Sequence, residues 1–386
     1  MNRRVVIIAG EASGDEHGAR LARELAALLP GVELSGIGGP ALARAGCRLL
    51  YRAEDLALVG ISEVLAKAGH IWRAMRGLRR HLRETRPDLL ILIDFPDFNF
   101  RLAAHAKKLG LKILYYIGPQ VWAWREGRAA RLSALVDHLA VVFPFEKEFY
   151  ASRTPDLPVT FVGHPALDHV QEQAGEAAGL WPWTDDKPVL GLLPGSRMSE
   201  IRRHMPLLAD AAGLMLRRRP ELAFALPVAP GLNPKALTLY LEAGAPVALL
   251  PQAAPLVMQK ARLLLTCSGT ATLQAALEGA PMVVFYKTGR LNYFLGKHLI
   301  KVPHIAMPNL IYGGGLLPEL IQDAATPETL SGLALDLLDD PARLEAMRQG
   351  LAQVREKLGG PGASRRTAEL ALQIIHASAA LQSKRI

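Results

Sequence analysis

The sequence predicts an α/β protein with two parallel-sheet domains. Three observations carry this. Short apolar runs alternate with amphipathic segments along most of the chain. At 386 residues the chain is longer than one hydrophobic core comfortably organises. Half of the residues are apolar but only 6% are aromatic, a balance that suits α/β layers better than an all-β sandwich.

The totals bound the function. A formal charge of +9 favours anionic partners such as a nucleotide, a sugar phosphate, nucleic acid or an acidic membrane surface, without choosing among them. Cys47 and Cys267 cannot form a disulfide framework and have no metal-ligand spacing, so a reduced, cytoplasmic setting is expected. Arg3-Arg4 followed by Val5 to Ala9 is too short an apolar core for a signal peptide and is cut by Glu11. No apolar run reaches the ~18 residues that span a bilayer. A soluble or peripheral protein is expected.

In chain order, Val5–Ala9 reads as a buried strand. It leads into a glycine-punctuated loop with Glu11, Ser13, Gly14, Asp15 and His17 as polar or permissive groups for a ligand. Asp15 as a helix cap is the alternative. Gly36 to Ala41 fits the dinucleotide fingerprint, but it follows an alternating, edge-like strand at 32–35, so a turn or acceptor-side loop is expected rather than a nicotinamide site.

Residues 58 to 86 place Ile71, Met75, Leu78 and Leu82 on one helical face and Arg73, Arg76, Arg80 and Arg83 roughly opposite, with Trp72 at the border. Leu58 to Ile61, Val64 and Leu65 extend the apolar side. This is the pattern of a basic amphipathic helix on anionic membrane, against a plain surface helix packed on the sheet.

Leu89–Ile93 is a strand buried on both faces that delivers Asp94 to Asn99 at its C-terminal end, where open α/β sheets bind ligands. Asp94, backed by hydrocarbon, suits a general base, while Asp97 or Asn99 suits a helix cap. The strand at 113–117 runs into Val121 to Arg125, whose Trp122 and Trp124 are expected to wall a sugar or acyl chain. Val141 to Glu146 and Val159 to Pro165 read as two more strand-loop units. Periodicity fails between Asp168 and Lys187. The expected domains are therefore 1–168, a linker at 169–187, 188–360, and a helix at 361–386 packing back on the first domain.

The second half restarts with a strand at 189–193 and the turn Pro194-Gly195-Ser196-Arg197. Ser196 is the expected N-cap, with Glu200 in the first turn of the following helix. Unpaired amides there, with the Arg197 fork, suit a phosphate. The strand at 263–267 opens a second small-residue loop, Ser268-Gly269-Thr270, suited to phosphate or ribose. Arg290 to Lys301 mixes Leu291, Phe294, Leu295 and Leu299 with cations, and Asp340-Pro341 reads as a helix cap and first turn.

Several of these stretches together carry a resemblance. GEASGD (10–15), DFPDFN (94–99), VWAWR (121–125), FVGHP (161–165), LLPGSR (192–197), CSGTATL (267–273) and MPN (307–309) occur in order from about residue 5 to about 320. The chain resembles the lipid-A-disaccharide synthase family. That resemblance implies a GT-B fold, two Rossmann-like domains facing across a cleft with a helical C-terminal tail, without the metal-binding Asp-x-Asp of the other large glycosyltransferase fold. It implies condensation of UDP-2,3-diacylglucosamine with 2,3-diacylglucosamine 1-phosphate (lipid X) to a β-1,6 disaccharide 1-phosphate and UDP. The implied place is the cytoplasmic face of the Gram-negative inner membrane.

On this reading Asp94 is the expected base, with His17 the second candidate, and no cofactor or metal is expected. Gly195, Ser196, Arg197, Ser268, Gly269, Thr270 and Asn309 are expected to hold the UDP-sugar. Gln274 stands where such enzymes often place a ribose-binding glutamate, which removes the charge-assisted part of that bond. Glu11, Ser13, Gly14, Asp15, Asp97, Asn99, Trp122 and Trp124 are expected on the acceptor side. Ile71, Trp72, Arg73, Met75, Arg76 and Arg80 are expected at the membrane. Nucleic acid is not an expected partner, since no recognition motif supports it; a homodimer is left open. The alternative is another UDP-N-acetylhexosamine enzyme of the same fold, an epimerase or a hexosaminyltransferase.

Overall fold

The computed structural model describes residues 3–56, 61–124, 126–168, 180–184, 187–241, 247–289, 293–294 and 302–383, with the side chains at 12, 61–68, 236 and 379–383 outside that description. The chain divides into two compact units: Met1–Pro165 together with Gly360–Ile386, and Ala166–Gly359.

The first unit is a seven-stranded sheet in the order β3-β2-β1-β4-β5-β6-β7, every neighbour parallel. Its strands are β1 (Arg4–Ala9), β2 (Glu33–Gly38), β3 (Arg48–Arg52), β4 (Leu89–Ile93), β5 (Ile113–Tyr116), β6 (His138–Val141) and β7 (Val159–Phe161). All of β4 and β5 is buried, as continuous apolar runs covered on both faces must be. The helices are α1 (Ala12–Leu28), α2 (Pro40–Arg44), α3 (Ile61–Thr85), α4 (Pro96–Lys108), α5 (Val121–Trp124), α6 (Arg128–Leu135) and α7 (Pro144–Arg153).

Three expectations are corrected here. The strand at 33–38 is internal: β3 takes the edge, and pairing on both sides explains why β2 is buried from Leu34 onward. The strand-loop unit expected at 141–146 sits earlier: its strand is His138–Val141, and Pro144 already opens α7. The loop expected from Gly10 to Gly18 is helical from Ala12. Gly14 and Gly18 lie against Ala9 and Ile93, so these glycines let α1 sit close on the sheet.

The second unit is a six-stranded sheet in the order β10-β9-β8-β11-β12-β13, again parallel throughout. Its strands are β8 (Val189–Leu193), β9 (Ala223–Val228), β10 (Val247–Pro251), β11 (Leu263–Cys267), β12 (Met282–Tyr286) and β13 (Glu319–Ile321). Its helices are α8 (Met198–Arg218), α9 (Pro234–Thr238), α10 (Ala254–Lys260), α11 (Thr270–Leu277), α12 (Met307–Tyr312), α13 (Pro327–Leu338) and α14 (Pro341–Lys357). Asp340 caps α14 by accepting from the Arg343 amide at 3.0 Å.

A last helix, α15 (Ala363–Ser383), packs on α1 of the first unit. Arg365 pairs with Glu24 at 3.3 Å, and the Arg366 guanidinium donates to the carbonyls of Val162, Gly360 and Pro361 at 2.7–2.8 Å. Among the described residues, no helix is long and apolar enough to cross a membrane.

Candidate active site

In each sheet the chain starts in the middle, winds to one edge, then returns to wind the other way. The reversal lies between β1 and β4 in the first unit and between β8 and β11 in the second. Ligands of open α/β sheets bind outside the strand ends at such a switch point, because the flanking loops diverge there and leave a crevice. Both sets of candidate residues sit at these points.

In the first unit, Ala9 pairs with Ile93, so Glu11 and Asp94 follow the ends of adjacent strands. Asp94 and Phe95 both adopt left-handed backbone, with φ of 45° and 50°. For non-glycine residues this costs on the order of 1–3 kcal/mol each and persists only where the surroundings enforce it. The enforcement is visible. The Asp94 carbonyl accepts from the Tyr115 hydroxyl at 2.7 Å and from Asn99 Nδ2 at 2.5 Å. The Phe95 ring stacks on Phe98 and occupies the space a side chain at Gly10 would need. Burial pushes the Asp94 carboxyl from 3.8 up to about 6, the negative charge of Glu11 pushes the same way, and the Phe95 amide partly opposes both.

Other expected acceptor-side residues serve the scaffold. Asn99 is 0% exposed and spends its amide on the carbonyls of Ile93 and Asp94, so it shapes the Asp94 turn from beneath. Asp15 is buried on α1, and its two oxygens accept from the amides of Gly39, Ala41 and Leu42 at 2.6–3.0 Å. It satisfies the start of α2 across space, a task no spacing within the sequence reveals. Asp97 caps nothing: the N-cap position of α4 is Phe95, and Asp97 pairs at the surface with Arg128 at 3.1 Å. Glu11 and Ser13 are exposed at the start of α1, Gly14 is buried, and His17 is half-buried one turn further on.

Trp122 is a core residue, not a wall. It is 7% exposed, packs edge-on to Phe143 and Phe145, and donates its Nε1 hydrogen to Glu146 at 3.1 Å. The buried Glu146 also accepts from the amides of Val142 and Phe143; burial raises its carboxyl to about 7, with these three donors pulling it down. Trp needs a partner for its N–H when buried, and Glu146, 24 residues further along the chain, is that partner. Trp124 is 41% exposed on the same short helix, and Arg125 lies outside the described residues.

The α3 stripe is corrected likewise. Met75, Leu78 and Leu82 belong to the core of the first unit, with Ile71 packed at its margin, so this apolar face covers the sheet. What remains outward is Trp72 at 61% exposure, the Arg76 guanidinium 5.3 Å over its ring, and exposed Arg73 and Arg80, the latter paired with Glu84 at 2.7 Å. Leu58 to Gly60 and the side chains of Ile61, Val64 and Leu65 lie outside the described residues, as do 290–292 and 295–301; Phe294 is described and is 62% exposed.

In the second unit, Leu193 pairs with Thr266, which sets the 195–197 and 268–270 loops side by side. The N-cap position is Arg197 rather than Ser196. The Ser196 and Arg197 amides, expected to face a phosphate, donate to Glu200 Oε2 at 2.9 and 3.1 Å. Gly195, at φ 117°, has no room for a side chain because that carboxylate lies where a Cβ would point. The Arg197 side chain is 75% exposed, 3.8 Å from the other Glu200 oxygen. Gly269, Thr270 and Gln274 are exposed.

Ser268 donates its hydroxyl to the Ile305 carbonyl at 3.0 Å. Asn309 is 0% exposed and fully spent: its amide donates to Leu317 O and Glu319 Oε1, and its oxygen accepts from Leu317 N, all at 2.7–2.8 Å. Glu319 in turn accepts from the amides of Ile305 and Ala306. Asn309 therefore shapes the segment on which Ser268 rests and cannot itself reach a ligand. Among the described residues there is no His, Cys, Asp and Glu cluster able to hold a metal ion.

Comparison with known proteins adds an independent line. Residues 5–375 match the family described as Lipid-A-disaccharide synthetase. A lipid-A-disaccharide synthase of Geobacter metallireducens is 45% identical over 380 residues, covering 97% of this chain and 98% of that protein. Among solved structures, UDP-GlcNAc 2-epimerase from Neisseria meningitidis bound to UDP-GlcNAc superposes with a TM-score of 0.66 at 15% identity, over 96% of this chain and 100% of that one. The calicheamicin glycosyltransferase CalG4 superposes at 0.61 and 17% identity, over 97% and 99%. At such identities the structural likenesses speak for the fold, which is that of GT-B glycosyltransferases.

Proposed function

The chain belongs to the lipid-A-disaccharide synthase family, and from that premise we propose how its residues divide the work. The reaction joins UDP-2,3-diacylglucosamine to lipid X, giving the β-1,6 disaccharide 1-phosphate and UDP. The acceptor 6-hydroxyl attacks the anomeric carbon in line with the departing diphosphate, so one group must take a proton while another meets growing negative charge.

Asp94 takes the proton. The observation that carries this is the strand-end carboxyl held up at about 6 in an enforced left-handed turn, beside Glu11. Ionised at neutral pH, it is a stronger base than a solvated carboxylate, and general-base catalysis of this kind supplies about 10²–10⁴-fold. Glu11 keeps that basicity high. His17 is the weaker candidate because it lies on the body of α1 rather than at its start.

Arg197 stabilises the leaving UDP through its exposed guanidinium. Gly195 and Ser196 shape the loop that presents it. Gly269 and Thr270 offer the adjacent backbone, and Gln274 reaches the ribose. On the acceptor side, Trp124, Ser13 and the Asp97 carboxylate are the exposed groups that remain. Trp72, Arg73, Arg76 and Arg80 set the protein on the anionic cytoplasmic face of the inner membrane, where acylated substrates reside; in that role a surface cation contributes about 1 kcal/mol near the lipid.

The test is to supply both acylated glucosamine substrates and measure UDP together with a β-1,6 disaccharide, in wild type and in Arg197→Ala. The expected result is product from wild type, with the variant losing UDP affinity about tenfold or more as well as rate. Unchanged UDP affinity in the variant removes Arg197 from the diphosphate site.

A further inference from the structure

The acceptor in this reaction carries a phosphate, and the groups proposed above for its side, Trp124, Ser13 and Asp97, include no cation. The first unit holds a pair of arginines close by. Arg128 opens α6 and Arg131 lies one turn on. Both guanidinium carbons stand over the ring of Phe100, at 5.9 and 5.2 Å from its centroid. Phe100 is itself 3% exposed on α4, so its ring is a fixed base for the two cations. Arg128 Nη2 donates to Asp97 Oδ1 at 3.1 Å, with the arginine side chain 26% and the carboxylate 77% exposed. Arg131 is exposed.

This placement works against α6. A helix start carries the positive end of the dipole and favours carboxylates, yet the first turn of α6 has two arginines and no acidic residue. Its N-cap, Gly127, supplies no side-chain oxygen. Glu126, two residues before Arg128, faces Arg153 at 3.3 Å instead. Asp97 balances one cation at most. Positive charge is thus gathered on one aromatic ring at the expense of the helix, and local rules are broken in this way where a function compensates.

The location says which anion. α4 begins two residues beyond Asp94, and α6 packs on α4. Asp97 therefore links Arg128 to the loop that presents the base. In lipid X the 6-hydroxymethyl group and the 1-phosphate are borne by the two carbons flanking the ring oxygen. A sugar whose hydroxyl meets Asp94 keeps its phosphate within one sugar's width, and planar guanidinium forks match phosphate oxygens.

We propose that Arg128 and Arg131 form the subsite for the 1-phosphate of the acceptor, with Asp97 holding the Arg128 fork in place. The identity of the acceptor rests on the transferase reading above; the affinity of the pair for a sugar phosphate does not.

The test compares lipid X with its 1-hydroxyl counterpart, 2,3-diacylglucosamine, in one neutral detergent at saturating donor. Wild type is expected to favour the phosphorylated acceptor. Arg128→Gln and Arg131→Gln should each raise KM for lipid X about tenfold, and the double variant about 100-fold. KM for the 1-hydroxyl acceptor and for the sugar nucleotide should stay within twofold. Both acceptors are read on one preparation, so a folding defect cannot produce the split. Equal rises for both acceptors, or no rise, overturn the proposal. Bilayer phosphates are the other source of this chemistry, and binding to phosphatidylglycerol vesicles is expected to be retained in the double variant. Lost vesicle binding with acceptor discrimination intact assigns the pair to lipid headgroups and overturns the subsite. In calorimetry without donor, glucosamine 1-phosphate should bind wild type at least about tenfold more tightly than the double variant; equal affinity overturns the site whatever the reaction. If wild type forms no disaccharide while this difference in binding is found, the transferase reading fails and the phosphate site stands.

Discussion

Asp94→Asn is expected to give a more stable and nearly inactive protein. The fold raises this carboxyl from 3.8 to about 6, with burial as the larger cause and Glu11 the second. A raised acid binds its proton more tightly when folded, so the folded state is penalised once the group must be charged. Stability is therefore lost as pH rises from the unfolded value through the folded one. The gap corresponds to a penalty of up to roughly 3 kcal/mol at pH 8. At pH 5 most of the folded-state carboxyl is protonated, and the same linkage leaves about half of that. Asparagine carries no charge and tolerates the left-handed backbone that Asp94 adopts. The variant should unfold higher by on the order of 4–10 °C at pH 8, with about half that gain at pH 5. UDP binding should be nearly intact and turnover lower by about 10²–10⁴-fold. Thermal unfolding at the two pH values, paired with turnover, tests the chain of reasoning. A gain at pH 5 as large as at pH 8 would refute the charge argument, and wild-type turnover would refute the catalytic one.

Three further outcomes follow from the same geometry. Glu11→Gln should move the acid limb of kcat/KM to lower pH by about half a unit, yet keep it well above 4, because burial outweighs the Glu11 charge; an unmoved limb would separate the two carboxylates. Trp122→Phe should cost about 1–2 kcal/mol in urea unfolding through the lost bond to buried Glu146, with both KM values within twofold. A large KM change at unaltered stability would restore Trp122 to the substrate wall. Reversing Arg76 and Arg80 to Glu should weaken sedimentation with anionic vesicles about 30-fold or more and leave neutral vesicles unaffected; equal binding would make this a merely solvated face.

Much of the fold was legible because its signals are local. The runs at 89–93 and 263–267 are continuous and apolar because both sheet faces are covered, so the sequence alone exposes them as central strands. Asp94 and Arg197 were singled out on a local signal too: Asp94 follows β4 directly, Arg197 lies four residues beyond the end of β8, and open parallel sheets place ligands at such strand ends. The misreadings share a different cause. Trp122, Asn99, Asp15 and Asn309 look functional because buried polar groups are rare, but whether such a group is a ligand or a strut depends on its partner. Those partners lie 24 residues away for Trp122 and up to 27 for Asp15, and for Asn99 and Asn309 they lie 5–10 residues away, across a turn that only the fold closes.

The sequence by itself determined the alternation of strand and helix, the two-domain length, the family and the two loops that end β4 and β8. Only the tertiary structure decided which polar side chains face outward and which hold the backbone, and that the apolar side of α3 belongs to the sheet. The physical reason is that an amphipathic pattern or a turn is encoded within a few residues, whereas a hydrogen-bond partner such as Glu146 for Trp122 or Glu319 for Asn309 is chosen by which elements packing brings together.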